Sequence, residues 1–218
     1  ERNGIIADSY EPGSTFKVIT ASANIEETLS GNKNAFSLEH VYNSGRYRIV
    51  GGRKIKCWST HAGGKHSNQK LSDALNNSCN PIFVDIALSL GKSTFYKYVN
   101  AFNFGKTTGI DFQGEALGMV VPERSVTDGD LARIGFGQTI AVTPLQLAAA
   151  VSAAVSGGVY HKPYLVEEIY SDTQTAVRYY PVQTERVISE RASKIIASYL
   201  EGVVRDGSGK QAYIEGAR

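Results

Sequence analysis

The chain has 218 residues, of which 42% are hydrophobic, and it carries a formal net charge of +2. This length and apolar content are enough to bury the core of one domain. The net positive charge is small and the sequence contains no basic run, which argues against nucleic-acid binding. No apolar segment approaches the ~18 residues of a membrane span. The chain begins Glu1-Arg-Asn-Gly-Ile, without a charged-then-apolar leader. This is not typical of a natural start, so we expect a piece of a longer protein.

Taken in chain order, the first predicted elements are a turn, a helix and a set of short strands. Pro12-Gly13 predicts the turn, and Ser14 then opens a helix with apolar periodicity to about residue 27. Alternating strands are expected between about residues 39 and 57. The polar, glycine-rich stretch 59–68 predicts a loop.

The rest of the chain is mostly helical. The same periodicity predicts further helices over residues 71–77, 81–90, 93–102, 128–136, 144–156 and 189–204. Strand and turn are expected over 110–121, and a hairpin is expected to pair 165–170 with 176–180. Because a block of helices is combined with strands segregated mostly towards the ends, the pattern favours an α+β fold.

The helix that starts at Ser14 carries the first chemical motif, Ser14-Thr-Phe-Lys17. Three residues are nearly one helical turn, so the hydroxyl and the amine are expected on one face. A serine hydroxyl is a weak nucleophile that needs an adjacent base. A lysine can serve as that base when burial lowers the pKa of its ammonium group, and amides at the helix start favour developing negative charge. On its own, the motif is weak evidence and is better explained by a capping serine beside a solvated lysine.

The second motif is Ser78-Cys79-Asn80, which lies between two predicted helices. Ser-x-x-Lys followed by a Ser-x-Asn-like motif occurs in penicillin-binding proteins and serine β-lactamases, where the middle residue is commonly Asp. By itself the segment is also typical of a turn in which Ser and Asn side chains bond to the local backbone.

The sequence around both motifs resembles that of class B penicillin-binding proteins. The similar segments are Tyr10–Thr20, Asn77–Phe83, Thr108–Glu115 and Gly135–Leu147, and the resemblance extends over roughly residues 3–218. It implies a penicillin-binding transpeptidase or serine β-lactamase-like fold, in which an antiparallel sheet with flanking helices meets an all-helical lobe. It also implies that residues 1–218 form one transpeptidase domain.

The resemblance implies a serine D,D-transpeptidase or carboxypeptidase that cross-links peptidoglycan, needs no cofactor and is inhibited by β-lactams. Ser14 would attack the penultimate D-alanine carbonyl of a stem peptide while Lys17 takes its proton. Ser78 would pass a proton to the leaving D-alanine, and Asn80 would bind the substrate amide. The domain would lie on the outer face of the bacterial cytoplasmic membrane beside a glycosyltransferase. The cysteine-containing segments resemble sporulation and division members of Gram-positive bacteria.

The family's third motif, Lys-[Ser/Thr]-Gly on an edge strand, is expected just after Arg218, and its opening strands before residue 1. We therefore expect a chain that is incomplete at both ends. The segment 106–109, Lys-Thr-Thr-Gly, has one residue too many for this motif and is predicted to be a loop. Since the third motif is missing, a catalytically incomplete scaffold stays open as an alternative.

A β-lactam sensor domain and a β-lactamase-like hydrolase also use a Ser-x-x-Lys nucleophile. The sensor domains differ from this chain in the sequence around their serine. In class A β-lactamases a glutamate activates the water that removes the acyl group. Glu123 is the corresponding candidate, but Thr127 stands where that class has asparagine, which disfavours the hydrolase.

Cysteine and histidine residues form a second candidate site, Cys57, His61, His66 and Cys79. Two thiolates and two imidazoles suit a tetrahedral zinc ion, with Asp73 as a spare oxygen ligand. Such a zinc would brace the second motif and take no part in the chemistry. A disulfide between the two cysteines is the alternative in a protein outside the cytoplasm, where it could act as a redox switch. Two buried, unlinked thiols are the third possibility.

Overall fold

The computed structural model describes residues 2–58, 67–171, 176–179 and 183–216. Helix α1 is Gly4–Ala7, and a 3-10 turn at Gly13–Phe16 leads directly into helix α2, Lys17–Leu29. The later helices are α3 (Leu71–Asn76), α4 (Asn80–Leu90), α5 (Lys92–Ala101), α6 (Asp128–Ile134), α7 (Pro144–Val155) and α8 (Glu190–Arg205), with 3-10 turns at Glu123–Ser125 and Lys210–Ala212.

The strands are short and pair two by two. They are β1 (Tyr42–Asn43), β2 (Tyr47–Val50), β3 (Arg53–Lys56), β4 (Ser67–Gln69), β5 (Met119–Val120), β6 (Ile140–Ala141), β7 (Val159–His161), β8 (Glu168–Tyr170), β9 (Ala176–Tyr179) and β10 (Thr184–Arg186). The pairs are β1–β4, β2–β3, β5–β6, β7–β10 and β8–β9, all antiparallel. Helices and antiparallel strands together confirm the predicted α+β class.

Helix α2 lies at the centre of the fold. Every residue from Lys17 to Ile25 is buried, and α4, α5, α7 and α8 pack around the helix. Each large apolar side chain buried in this way contributes about 1.5–3 kcal/mol. The residue at the start of α2 is therefore held by the most heavily packed element of the molecule.

The β2–β3 hairpin packs across α4. Its strands are joined by Gly51 and Gly52, whose φ values of 55° and 73° suit a two-residue hairpin turn. Arg48 makes a two-point ion pair with Asp85 of α4, at 2.6 and 2.7 Å. Ile55 is only 7% exposed and belongs to the core. One face of the hairpin is therefore fixed to α4, and the other faces outward.

Most of the predicted elements are present, with two differences. Of the predicted loop 59–68, residues 59–66 lie outside the described residues, and Ser67 and Asn68 belong to β4. Strand was expected over 110–121, but only Met119–Val120 pairs, with β6. The preceding segment closes into a loop because the Glu115 carboxylate accepts hydrogen bonds from the amides of Thr108 and Gly109, at 2.6 and 3.0 Å. No helix in the described part of the chain is long and apolar enough for a bilayer crossing.

Candidate active site

The Ser14–Lys17 motif starts as a 3-10 turn and not as an α-helix with a capping serine. In a 3-10 helix, side chains three residues apart are aligned along the axis. Ser14 and Lys17 therefore point the same way, and the two side chains are in contact, with the Lys17 Nζ atom 3.2 Å from the Ser14 Oγ atom. Phe16 points elsewhere, is fully buried and packs against Phe104 with ring centroids 5.1 Å apart. The aromatic ring anchors the turn while the hydroxyl of Ser14 stays exposed.

The segment Gly135–Thr139 lies against the 3-10 turn and is joined to it by hydrogen bonds. The Gly13 amide donates to the Gly137 carbonyl at 2.9 Å, and the Thr139 amide donates to the Glu11 carboxylate at 2.8 Å. Gly137 has a φ of +84°, and a Cβ atom there would lie 1.9 Å from the Gly13 carbonyl oxygen. Only glycine fits this approach. Sequence reasoning did not predict this close approach of Gly137 to Gly13. The Gly-x-Gly spacing at residues 135–137 was the available signal for it.

The second motif is shaped by the junction of α3 and α4. The Ser78 amide donates to the Leu75 carbonyl and the Cys79 amide to the Ala74 carbonyl, both at 2.9 Å. Ser78 has a φ of +51°, in the left-handed region that costs a non-glycine residue roughly 1–2 kcal/mol. This backbone turns the side chains of Ser78 and Asn80 towards α2.

Lys17 is the point at which the two motifs meet. Besides Ser14, its Nζ atom contacts the Ser78 Oγ at 2.8 Å, the Ser78 carbonyl oxygen at 2.7 Å and the Asn80 Oδ1 at 2.7 Å. The Ser78 hydroxyl also donates to the Ser14 Oγ at 2.8 Å. The four residues predicted from the two motifs are therefore joined in one hydrogen-bonded group.

Lys17 is only 1% exposed, and this burial lowers the pKa of its ammonium group from 10.5 to about 8. The nearby Cys57 and Cys79 side chains partly oppose the shift. A lysine with a pKa near 8 is neutral in a substantial fraction of molecules close to physiological pH. A neutral amine can keep donating to Ser78 and Asn80 while it accepts the proton of Ser14.

The chain segment after β3 runs along the outer side of the second motif. The Asn80 Nδ2 atom lies 3.4 Å from the Lys56 carbonyl oxygen, and the Trp58 indole nitrogen donates to the Asn77 carbonyl at 3.2 Å. Between them, the Cys57 and Cys79 side chains are in hydrogen-bond contact. The segment Lys56–Trp58 thus braces Asn77–Asn80 by direct contacts. The sequence had predicted such a brace only from a zinc ion.

The two cysteines are adjacent thiols in this structure and do not form a disulfide. Contact with Cys57, reinforced by burial, raises the pKa of the Cys79 thiol well above its ordinary range. His61 and His66, the other predicted zinc ligands, lie outside the described residues. No metal-binding group of three or more His, Cys, Asp or Glu side chains occurs within the part of the chain that is described.

Two other candidates from the sequence lie elsewhere. Glu123 is exposed on a 3-10 turn and lines a shallow surface depression with Lys92 and Arg124. The segment 106–109 is irregular, as predicted, and borders a separate polar cavity with Tyr160 and Lys162. No hydrogen bond in the described residues joins either of them to the group around Lys17.

Comparisons with known proteins show the family to which the chain belongs. The sequence matches the family model described as the penicillin binding protein transpeptidase domain over residues 1–218. It is 41% identical to stage V sporulation protein D of Bacillus subtilis and 28% identical to peptidoglycan D,D-transpeptidase FtsI of Escherichia coli, with 100% of the chain covered in both. The fold is similar to penicillin binding protein 3 of Mycobacterium tuberculosis complexed with aztreonam. That match has a TM-score of 0.87 and 22% identity, and it covers 97% of this chain and 47% of that one.

The chain spans about one third of the length of the curated relatives it matches, with 33% of each covered.

Proposed function

Because the chain belongs to the penicillin-binding protein transpeptidase family, we propose that its protein is a serine D,D-transpeptidase that is acylated on Ser14. The substrate is a peptidoglycan stem peptide that ends in D-alanyl-D-alanine. β-Lactams are inhibitors that acylate the same serine. Transpeptidases of this family need no cofactor for this chemistry.

In the first step, the neutral amine of Lys17 accepts the Ser14 proton while the Ser14 oxygen attacks the penultimate D-alanine carbonyl. The tetrahedral intermediate then collapses. The bond to the terminal D-alanine breaks, and the departing amine takes up a proton. Ser78 is placed for this delivery because its hydroxyl contacts both Lys17 and Ser14, each at 2.8 Å. The products of the step are free D-alanine and an ester on Ser14.

In the second step, an acceptor amine attacks the ester and the proton transfers run in reverse, which restores Ser14. Asn80 can hold the substrate amide with its Nδ2 group while its Oδ1 keeps Lys17 in position at 2.7 Å. The Ser14 amide lies at the start of the 3-10 turn, before the turn's first hydrogen-bonded amide. It is therefore suited to stabilise the oxyanion.

One arrangement supports this assignment above all others. The Lys17 amine is buried, its pKa is lowered to about 8, and it touches Ser14, Ser78 and Asn80 at the same time. A capping serine beside a solvated lysine has none of these properties. Glu123 is exposed and, among the described residues, makes no hydrogen bond to this group, which favours a transpeptidase over a β-lactamase-like hydrolase. A catalytically incomplete scaffold or sensor stays the alternative.

We further propose that the domain works on the outer face of the cytoplasmic membrane, beside a glycosyltransferase that supplies the strands. The 41% identity to a sporulation protein favours a sporulation role over a division role. For the cysteines, the hydrogen-bond contact between the Cys57 and Cys79 side chains supports two adjacent thiols more than a zinc site. Metal analysis and a count of titratable thiols distinguish the two.

The first experiment is intact-mass spectrometry of the full-length protein after incubation with a penicillin, for wild type and Ser14→Ala. We expect a stable mass gain of one drug molecule in the wild type and none in the variant. Rapid loss of the drug without an adduct would point to a hydrolase. Neither adduct nor turnover would leave the scaffold as the better explanation.

A further inference from the structure

The outward face of the β2–β3 hairpin carries the side chains Tyr47, Ile49, Lys54 and Lys56. The register pairs Tyr47 with Lys56 and Ile49 with Lys54, and residues two apart on a strand share a face. All four are exposed, Ile49 at 66% and Tyr47 at 44%. We name these four residues the hairpin face.

The hairpin face is cationic and has no internal counter-charge. The segment 41–58 contains five basic residues and no Asp or Glu. Arg48 is neutralised by Asp85 on the opposite face. The pKa of the Asp130 carboxyl is lowered mainly by hydrogen bonds with Thr127, and the charge of the nearby Arg53 adds a smaller effect. Within the described residues, Lys54 and Lys56 take part in no ion pair. The Lys54 ammonium lies 3.7 Å from the centre of the Tyr47 ring, so it is held in place by an aromatic side chain.

The hairpin face leads directly to the candidate active site. Lys56 is the last residue of β3, and its carbonyl oxygen lies 3.4 Å from the Asn80 amide nitrogen. Trp58, two residues later, is 62% exposed and is tied to Asn77. The end of the hairpin that carries Lys56 therefore adjoins the Asn80 side of the group around Ser14.

Resting on the proposed function, we propose that the hairpin face recognises a free carboxylate on the stem-peptide residue that precedes the penultimate D-alanine. Asn80 holds the amide that joins these two residues, so the side chain of the preceding residue starts beside Asn80 and Lys56. Neighbouring positions in an extended peptide are about 3.3 Å apart, which a lysine side chain can bridge. The favoured substrate then has a diamino dicarboxylic acid, such as meso-diaminopimelate, at this position.

A matched pair of peptides tests this preference. L-Ala-γ-D-Glu-meso-diaminopimelate-D-Ala-D-Ala and its L-lysine counterpart differ by one carboxylate. Their dissociation constants are measured by NMR titration on full-length protein carrying Ser14→Ala, in which no acyl-enzyme forms. At low salt we expect the dicarboxylic peptide to bind about three- to tenfold more tightly, since an exposed ion pair has a modest effect. The ratio should shrink as salt is raised.

In the same background, Lys54→Gln with Lys56→Gln should bring the ratio of the two dissociation constants to about one. The control is Lys33→Gln with Lys106→Gln, which removes two other exposed lysines and the same charge, and which should keep the wild-type ratio. No preference in the parent protein, or an unchanged ratio in K54Q/K56Q, would overturn the proposal. Equal weakening of both peptides would also overturn it, because the face would then hold a part that both share.

Two further outcomes separate the competing explanations. Soluble poly(glycerol phosphate) could displace both peptides equally from the parent protein and displace neither from K54Q/K56Q. In that case the hairpin face binds an anionic polymer, and the peptide proposal is wrong. Acylation of wild-type protein by penicillin is tested separately. An adduct without a peptide preference refutes only the hairpin proposal, whereas a lysine-dependent preference without an adduct refutes only the transpeptidase assignment.

Discussion

The segment Asn77–Asn80 separates two regions that both depend on lysine. On its inner side, Lys17 is 1% exposed and bonded to Ser14, Ser78 and Asn80. On its outer side, Lys56 is exposed on a hairpin that has no acidic residue. Burial removes the hydration that stabilises an ammonium group, whereas exposure preserves it. The same residue type is therefore suited to accept a proton on one side and to attract an anion on the other.

The two sides also differ in how firmly each lysine is held. Three contacts of 2.7 to 2.8 Å fix the Lys17 amine, and its position lies 5.3 Å from the Phe83 ring centre. On the outer side, the Tyr47 ring orients Lys54 without covering it. A proton acceptor needs a fixed position relative to its donor, while a steering charge acts over several ångströms.

The strongest way to break this comparison is to replace lysine by arginine on each side. Arginine keeps its proton and cannot act as a base, so Lys17→Arg should slow penicillin acylation by about 10²–10⁴-fold. On the outer side, K54R/K56R keeps both charges and should keep the peptide preference that K54Q/K56Q loses. Acylation rates come from intact-mass time courses, with Lys33→Arg as control and a thermal melt to check folding. Normal acylation of K17R would exclude Lys17 as the base.

The pH dependence of acylation sharpens the same contrast. Because Lys17 acts as a neutral amine and its pKa is about 8, acylation by a penicillin should rise about tenfold between pH 7 and pH 9. Stopped-flow measurement of the acylation rate gives the profile. A flat profile across this interval would mean that Lys17 is not the titrating base.

The lowered pKa of Lys17 also makes the free energy of unfolding depend on pH. The folded pKa is lowered, so between about 8 and 10.5 the unfolded chain binds the Lys17 proton and the folded chain does not. The contribution of Lys17 to the free energy of unfolding therefore rises with pH in this interval. Denaturant titrations of wild type and Lys17→Met should diverge across it.

The smallest expected effect is on stability and concerns Ser78, in the segment Asn77–Asn80 that separates the two lysine regions. Ser78→Ala and Ser78→Gly both remove the hydroxyl, but only glycine adopts a φ of +51° without cost. We expect Ser78→Gly to be more stable than Ser78→Ala by about 0.5–1 kcal/mol, after allowing for the extra freedom of glycine in the unfolded chain. Urea unfolding of the two variants measures this difference. Equal stability would show that the backbone at this position is unstrained.

Much of this protein follows from its sequence. Apolar periodicity predicted the helices that form the core, because a helix buried on one or more sides must repeat its apolar residues at the helical spacing. The spacing of Ser14 and Lys17 predicted a shared face, since three residues make about one turn in either helix type. The Ser-x-Asn segment was placed correctly between two helices because Pro81 marks a helix start.

Only the tertiary structure decided which lysine is buried and which chain segments meet. Ser14 and Ser78 are 64 residues apart, and no local pattern states that their hydroxyls touch or that Lys17 lies between them. The approach of Gly137 to Gly13, and of Lys56–Trp58 to Asn77–Asn80, depends on how helices and hairpin pack against one another. Sequence spacing determines directions within one element. Desolvation, and the pKa shift that it causes, comes from all the elements that surround a side chain.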